Sequence, residues 1–174
     1  MEGAVTRSRT ITWHDPAEAA ASSRSLTGLE FLHRLTSGLI PVPPVAELLG
    51  LRCTYVMPGR VVFDYEPREE HYGSLGAVHG GIVSAVLDTA MSCAVQSMLD
   101  VGVGFATVEH RTSFVRPVRL GANVLRAEGI VLHSGSRMAT AEAKLVDRTG
   151  TLYASASSTA LVLAADEHKT QLAA

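Results

Sequence analysis

His79-Gly80-Gly81-Ile82-Val83-Ser84-Ala85-Val86-Leu87-Asp88-Thr89-Ala90-Met91 decides how the rest of the chain must fold. From Ile82 to Leu99 the spacing predicts one helix whose apolar residues (Ile82, Val83, Ala85, Val86, Leu87, Ala90, Met91, Ala94, Val95, Met98, Leu99) occupy nearly its whole circumference. A helix apolar on all sides is expected to be buried. One carboxylate, Asp88, interrupts it, with Ser84 and Ser92 one turn to either side. Bonds to neighbouring hydroxyls would satisfy that carboxylate. The cost of withdrawing a charge from water nevertheless marks it as a candidate functional group.

The approach to this helix, Gly73-Ser74-Leu75-Gly76-Ala77-Val78, ends at His79, and Gly80 and Gly81 leave backbone N–H groups uncovered. A helix start has unbonded donors and the positive end of the dipole, so it can hold a developing negative charge. Gly80 and Asp88 are eight residues apart, which is roughly 12 Å along one helix. They cannot both touch one small reacting group. Two copies packed antiparallel about a two-fold axis would bring the entrance of one chain to the carboxylate of the other. A homodimer with two composite sites is therefore expected.

Around the helix the chain reads as strands. Leu51, Cys53, Tyr55 and Met57 alternate with Arg52, Thr54 and Val56, and Pro58-Gly59 turns the chain into residues 60–66, giving a hairpin. After a turn at 100–104, alternation covers 105–118, 123–132, 137–146 and 152–163, with bends at Gly121, Ser134-Gly135 and Asp147-Arg148-Thr149-Gly150. Short connections make neighbouring strands antiparallel. Two strands, one long helix and four more strands form an α+β layer, a curved antiparallel sheet of about six strands that buries a central helix.

Upstream, residues 1–27 lack a sustained apolar period and are expected to form a flexible arm with a short helix at 16–21. Leu29, Phe31, Leu32 and Leu35 predict an amphipathic helix closed by Ser37-Gly38, and 45–49 a second one ended by Gly50. Residues 28–164 make one domain, and 165–174 a tail.

Charge and composition exclude several classes of function. With 174 residues, 47% hydrophobic content and a net charge of −2, the chain can bury a good core but offers no basic field for nucleic acid. No charged start precedes an apolar run, and Asp88 interrupts the longest apolar segment, so a cytoplasmic protein without membrane contact is expected. Cys53 and Cys93 have no paired spacing, and His14, His33, His110 and His133 are scattered, so neither a disulfide framework nor a metal site is indicated. No Gly-x-Ser-x-Gly elbow, Gly-x-Gly-x-x-Gly or P-loop pattern occurs.

Gly76-Ala77-Val78-His79-Gly80-Gly81 followed by Asp88-Thr89-Ala90, with Thr107-Val108-Glu109 and Phe114-Val115-Arg116-Pro117-Val118 downstream, resembles the hot-dog-fold acyl-CoA thioesterases of the phenylacetate-degradation (PaaI-like) type. The resemblance covers residues 48–163. It implies a hot-dog fold, a long helix wrapped by a curved sheet, working as a dimer or a dimer of dimers. It also implies hydrolysis of an acyl- or aryl-CoA thioester to the free acid and coenzyme A, with no cofactor beyond the substrate's own coenzyme A. Asp88 would be nucleophile or general base, Gly80 or Gly81 would polarise the carbonyl, His79 would shape the entrance, and Thr107 would position water. Gly73, Ser74, Val78 and Ser84 would adjoin the substrate.

One position departs from the pattern, since these enzymes commonly carry Asn or Gln where this chain has Gly73. Ser74, His71 or Tyr72 could take over that amide's role. Arg116, Arg119, Arg137 and Arg148 are candidates for the phosphates of coenzyme A, with Arg137, just past Ser134-Gly135-Ser136, the first choice and Arg116 beside it. Two alternatives stand beside hydrolysis: a hydratase or dehydratase of the same fold, and an acyl-CoA sensor that binds without turnover.

Overall fold

The computed structural model describes residues 5–119 and 121–163, so the tail expected at 165–174 lies outside the described residues. Three short helices come first. In α1 (Pro16–Ser23) the Asp15 carboxylate accepts the Ala17 N–H at 2.9 Å. The second, α2 (Gly28–Thr36), opens on reciprocal bonds between Thr27 and Glu30: the hydroxyl accepts the Glu30 N–H while the carboxylate accepts the Thr27 N–H. Two donors that a first helical turn leaves unbonded are thereby satisfied. A proline starts α3 (Pro44–Leu49), and Gly50, at φ 65°, ends it in the left-handed region that favours glycine. Ala19, Phe31, Leu32 and Leu49 from these helices, and Leu26 between the first two, enter the core.

The expected hairpin is β1 (Leu51–Met57) and β2 (Arg60–Tyr65), and α4 (Gly80–Gln96) is the central helix. Then come β3 (Gly104–Phe114), β4 (Leu125–Ser134), β5 (Met138–Val146) and β6 (Leu152–Leu163). All pair antiparallel in one sheet, in the order β1-β2-β4-β5-β6-β3.

That order corrects one expectation, because β3 and β4 follow each other in sequence without being neighbours. After Val115 and Arg116, whose N–H groups still donate to the Tyr153 carbonyl of β6, the chain leaves the sheet instead of turning back: the Val118 carbonyl accepts the Val78 N–H at 2.9 Å, and Ala77 bridges Arg119. The segment is used to hold the approach to α4. In consequence β3 pairs with β6 alone, and its other edge is unpaired among the described residues. An open edge of this length is a ready template for another strand.

Across β2, β4, β5 and β6, α4 packs on one face. Its buried residues, Val83, Val86, Leu87, Ala90, Met91, Ala94 and Val95, recur at three- and four-residue intervals. Within one chain burial is thus not complete on all sides: the opposite strip, with Gly81 exposed and Ser84, Ala85, Asp88 and Ser92 half-buried, is only partly covered by the chain itself. At the far end, the Ser97 hydroxyl donates to the Ala94 carbonyl at 2.7 Å and accepts the Gly59 N–H at 2.8 Å, tying the helix to the β1–β2 turn.

Small residues floor the helix. Gly129, Ala143 and Ala156 stand side by side in the strand register, between Val61 and Thr112. A Cβ built on Gly129 would lie 2.2 Å from the Ala90 carbonyl oxygen, so α4 rests on the backbone of β4. Among the described residues no helix is long and apolar enough to cross a membrane, and no group of three or more His, Cys, Asp or Glu could hold a metal.

Candidate active site

The loop before α4 is held from behind by His71. Its ring nitrogen Nδ1 faces two donors, the Tyr65 hydroxyl at 3.0 Å and the Arg68 N–H at 3.3 Å, and its carbonyl accepts the His79 N–H at 2.9 Å. His71 is buried, and loss of solvent lowers its pKa below the usual histidine value. Where the unfolded chain binds a proton that the folded chain refuses, stability must fall as pH falls. Thermal melts are therefore expected to drop as the pH is lowered from 7.5 to 5.5. The His71→Gln variant, though less stable at pH 7.5, should lose most of that dependence. Parallel slopes for the two proteins would remove His71 as the cause.

At the helix start, His79 Nδ1 accepts the Gly81 N–H at 3.0 Å, and the His79 carbonyl accepts those of Ile82 and Val83. The Gly80 N–H has no partner among the described residues. Of the two glycines, Gly80 therefore holds the donor free for a ligand. It opens on a cleft of about 340 Å³ lined by Val83, Phe114, Arg116, Val118 and Tyr153. A Cβ on Gly80 would come within 3.1 Å of the Phe114 ring.

Two turns along, Asp88 has a side chain 43% exposed, yet its Oδ1 is buried and makes no hydrogen bond. His110 on β3 faces it, with Nδ1 3.6 Å from that oxygen and Nε2 2.6 Å from the Thr112 hydroxyl. The sequence reading missed His110. Strand alternation counted back from Phe114, which meets Gly80, places Thr112 and His110 on the same face. Counted forward, the alternation breaks at the bulge between Thr107 and Glu109.

The other candidates divide between these elements. Gly73 lies behind the entrance, where a Cβ would sit 3.5 Å from the His79 ring. Exposed Ser74 follows it, Val78 is buried with its N–H committed to Val118, and Ser84 is one turn before Asp88. Thr107 is exposed, at the bulge, with no hydrogen bond to Asp88 among the described residues.

Arg116 stands at the rim of the Gly80 cleft, donating to the Leu152 carbonyl at 2.8 Å. Arg137 is at the other end of β6, where its carbonyl accepts the Val162 N–H, roughly 30 Å along the strand. Arg148 is in the β5–β6 turn and Arg119 beside Ala77, so the chain does not gather its arginines into one cluster.

On the other flank of α4, a cavity of about 330 Å³ lies beneath α2 and α3, lined chiefly by Leu32, Leu35, Val42, Phe63, Thr89 and Cys93. Cys53 also borders it. Burial pushes the Cys53 thiol up to about 11 and the Cys93 thiol up to about 12, so neither supplies a thiolate nucleophile near neutral pH.

Comparison with known proteins agrees with this architecture. The model of the thioesterase superfamily matches residues 75–154, from the entrance loop through α4 into β6. Human acyl-coenzyme A thioesterase 13 is 26% identical over 98 residues, which are 56% of this chain and 69% of that protein. A Halobacterium salinarum protein whose name proposes an esterase is 36% identical over 84 residues, 47% of this chain. That match spans 54% of the relative's length, about half of it. A phenylacetic acid degradation-related protein of Ralstonia eutropha JMP134, described as a proposed thioesterase, superposes with a TM-score of 0.68 at 29% identity, covering 74% of this chain and 97% of that one. This chain thus has the hot-dog fold, with a match to the thioesterase superfamily over residues 75–154.

Proposed function

We propose that this protein hydrolyses acyl- or aryl-CoA thioesters to the free acid and coenzyme A. The observation that carries the reading is the pairing, in a segment that matches the thioesterase superfamily, of one free helix-start donor, Gly80, with one carboxylate, Asp88, on an otherwise apolar helix. A thioester suits so small a set of groups, because its carbonyl is weakly resonance-stabilised and its thiolate leaves readily. The Gly80 N–H and the helix dipole stabilise charge developing on the carbonyl oxygen. Asp88 either takes a proton from the attacking water or attacks the carbonyl itself, giving an anhydride that water opens. In both routes the C–S bond breaks, and the thiolate gains a proton on release.

Gly80 and Asp88 of one chain are too far apart to share a carbonyl, so the reading requires a homodimer. The partly covered strip of α4 and the unpaired edge of β3 support it. The acyl group takes the aliphatic cavity under α2 and α3, and Arg116 meets the polar end of the substrate. A cytoplasmic location suits a coenzyme A substrate.

The test is release of free thiol from a panel of acyl- and aryl-CoA thioesters by the purified protein. Turnover with one preferred acyl class is expected. Saturable binding with no thiol released would move the protein to the sensor reading, to which Gly73 lends support. The structure leaves ordinary contact distance for a side chain there, since a Cβ meets the His79 ring at 3.5 Å and the Ala77 carbonyl oxygen at 3.9 Å. Gly73→Asn is therefore expected to fold normally and to raise turnover about tenfold by supplying an orienting amide. Unchanged turnover in a folded variant would show that this loop position does not bear on the chemistry.

A further inference from the structure

We propose that His110 is a positioning residue for Asp88, fixed in turn by Thr112, so that a Thr112–His110–Asp88 relay presents a single carboxylate oxygen to the substrate. This rests on the proposed hydrolase reading. His110 Nδ1 and Asp88 Oδ1 are both buried, both without a hydrogen-bond partner, and 3.6 Å apart. Each is the nearest answer to the other's need, because a buried polar atom left unpaired is costly and a small rotation of either side chain closes the distance. Backbone register puts the relay where it can act: His110 pairs with Ser158, and Thr112 pairs with Ala156, in the helix-facing rows beneath α4.

At 2.6 Å from His110 Nε2, the Thr112 hydroxyl is placed to donate to that nitrogen; in the proposed relay it does so, which puts the imidazole proton on Nδ1, aimed at Asp88. Oδ1 is thereby held and Oδ2 is left for water or the carbonyl carbon. Fixing a reacting group in one orientation acts on the chemical step rather than on binding.

Two measurements on the full-length protein test this. In the first, His110→Asn keeps an N–H donor close to the position of Nδ1, whereas His110→Leu removes it. The expected result is a 10- to 100-fold fall in kcat for His110→Leu with KM within twofold, and recovery to within threefold of wild type for His110→Asn. Thr112→Val should cost several-fold in the wild type and nothing further on top of His110→Asn. Equal kcat in the wild type and His110→Leu, or equal losses in both His110 variants, would overturn the relay.

The second measurement needs no activity. Long-range nitrogen–proton NMR of the imidazole is expected to show the Nδ1–H tautomer in the wild type and its loss in Thr112→Val. An Nε2–H tautomer in the wild type would overturn the geometry. The hydrolase reading itself fails separately, if the wild type releases no thiol or Asp88→Asn leaves turnover intact.

Discussion

Asp88→Asn is expected to lower thioester turnover by about 10³-fold while leaving the melting temperature within a few degrees of the wild type, or above it. The first part follows from role: the substitution keeps shape but removes both the base and the nucleophile, and a positioned acid–base group contributes on the order of 10²- to 10⁴-fold. The second follows from place. Asp88 sits on the partly covered strip of α4 with Oδ1 buried and unbonded, so the charge stabilises nothing that the fold needs. An amide in its place still offers an oxygen to His110. Thiol release and a thermal melt on the same preparations settle the matter. A variant that melts as expected yet retains turnover within threefold would remove Asp88 from the chemistry.

Gly129→Ala carries a large expected effect on stability. Its added Cβ would stand 2.2 Å from the carbonyl oxygen of Ala90, 2.4 Å from its carbonyl carbon and 2.8 Å from the Met91 nitrogen. These are backbone atoms in the middle of α4 and cannot rotate away. Either the helix lifts off β4, loosening the contacts of Ala90, Met91 and Ala94, or β4 bends. Overpacking of this kind costs about 3 kcal/mol or more, at the top of the range for single substitutions. For a chain of this size that is a fall of roughly 10 °C or more in melting temperature. Urea unfolding of Gly129→Ala beside Gly73→Ala makes the comparison internal, since a Cβ at Gly73 meets nothing closer than 3.5 Å. Equal stability of the two variants would mean that α4 is not seated on β4.

Much of this molecule could be read before any coordinate was known, because its signals are local. Alternation in β6 and in the β1–β2 hairpin, the Pro58-Gly59 turn and the glycine that ends α3 all act over a few residues. The start of α4 was legible for the same reason. Less legible were features set by distant partners. Nothing nearby announces that Val118 and Arg119 will bond to Val78 and Ala77, so the displacement of β3 to the sheet edge was hidden. The apolar content of α4 concealed that one face alone is fully buried by its own chain. His110 was obscured by a one-residue bulge that shifts the alternation of β3 between its two ends.

The contact between Gly129 and Ala90 has a bearing on how such a protein can change over generations. Ala90 is two residues past Asp88, so the point at which the helix is pinned to the sheet is also the neighbourhood of its carboxylate. Substitutions beneath the helix are penalised whatever the substrate. The roof is under no such constraint: Leu32, Leu35 and Val42 line the aliphatic cavity from short helices and a loop that lie outside the sheet. Selection for a longer or bulkier acyl group can therefore work on the roof while the floor stays frozen, and lineages descended from this chain should diverge in appetite long before they diverge in chemistry.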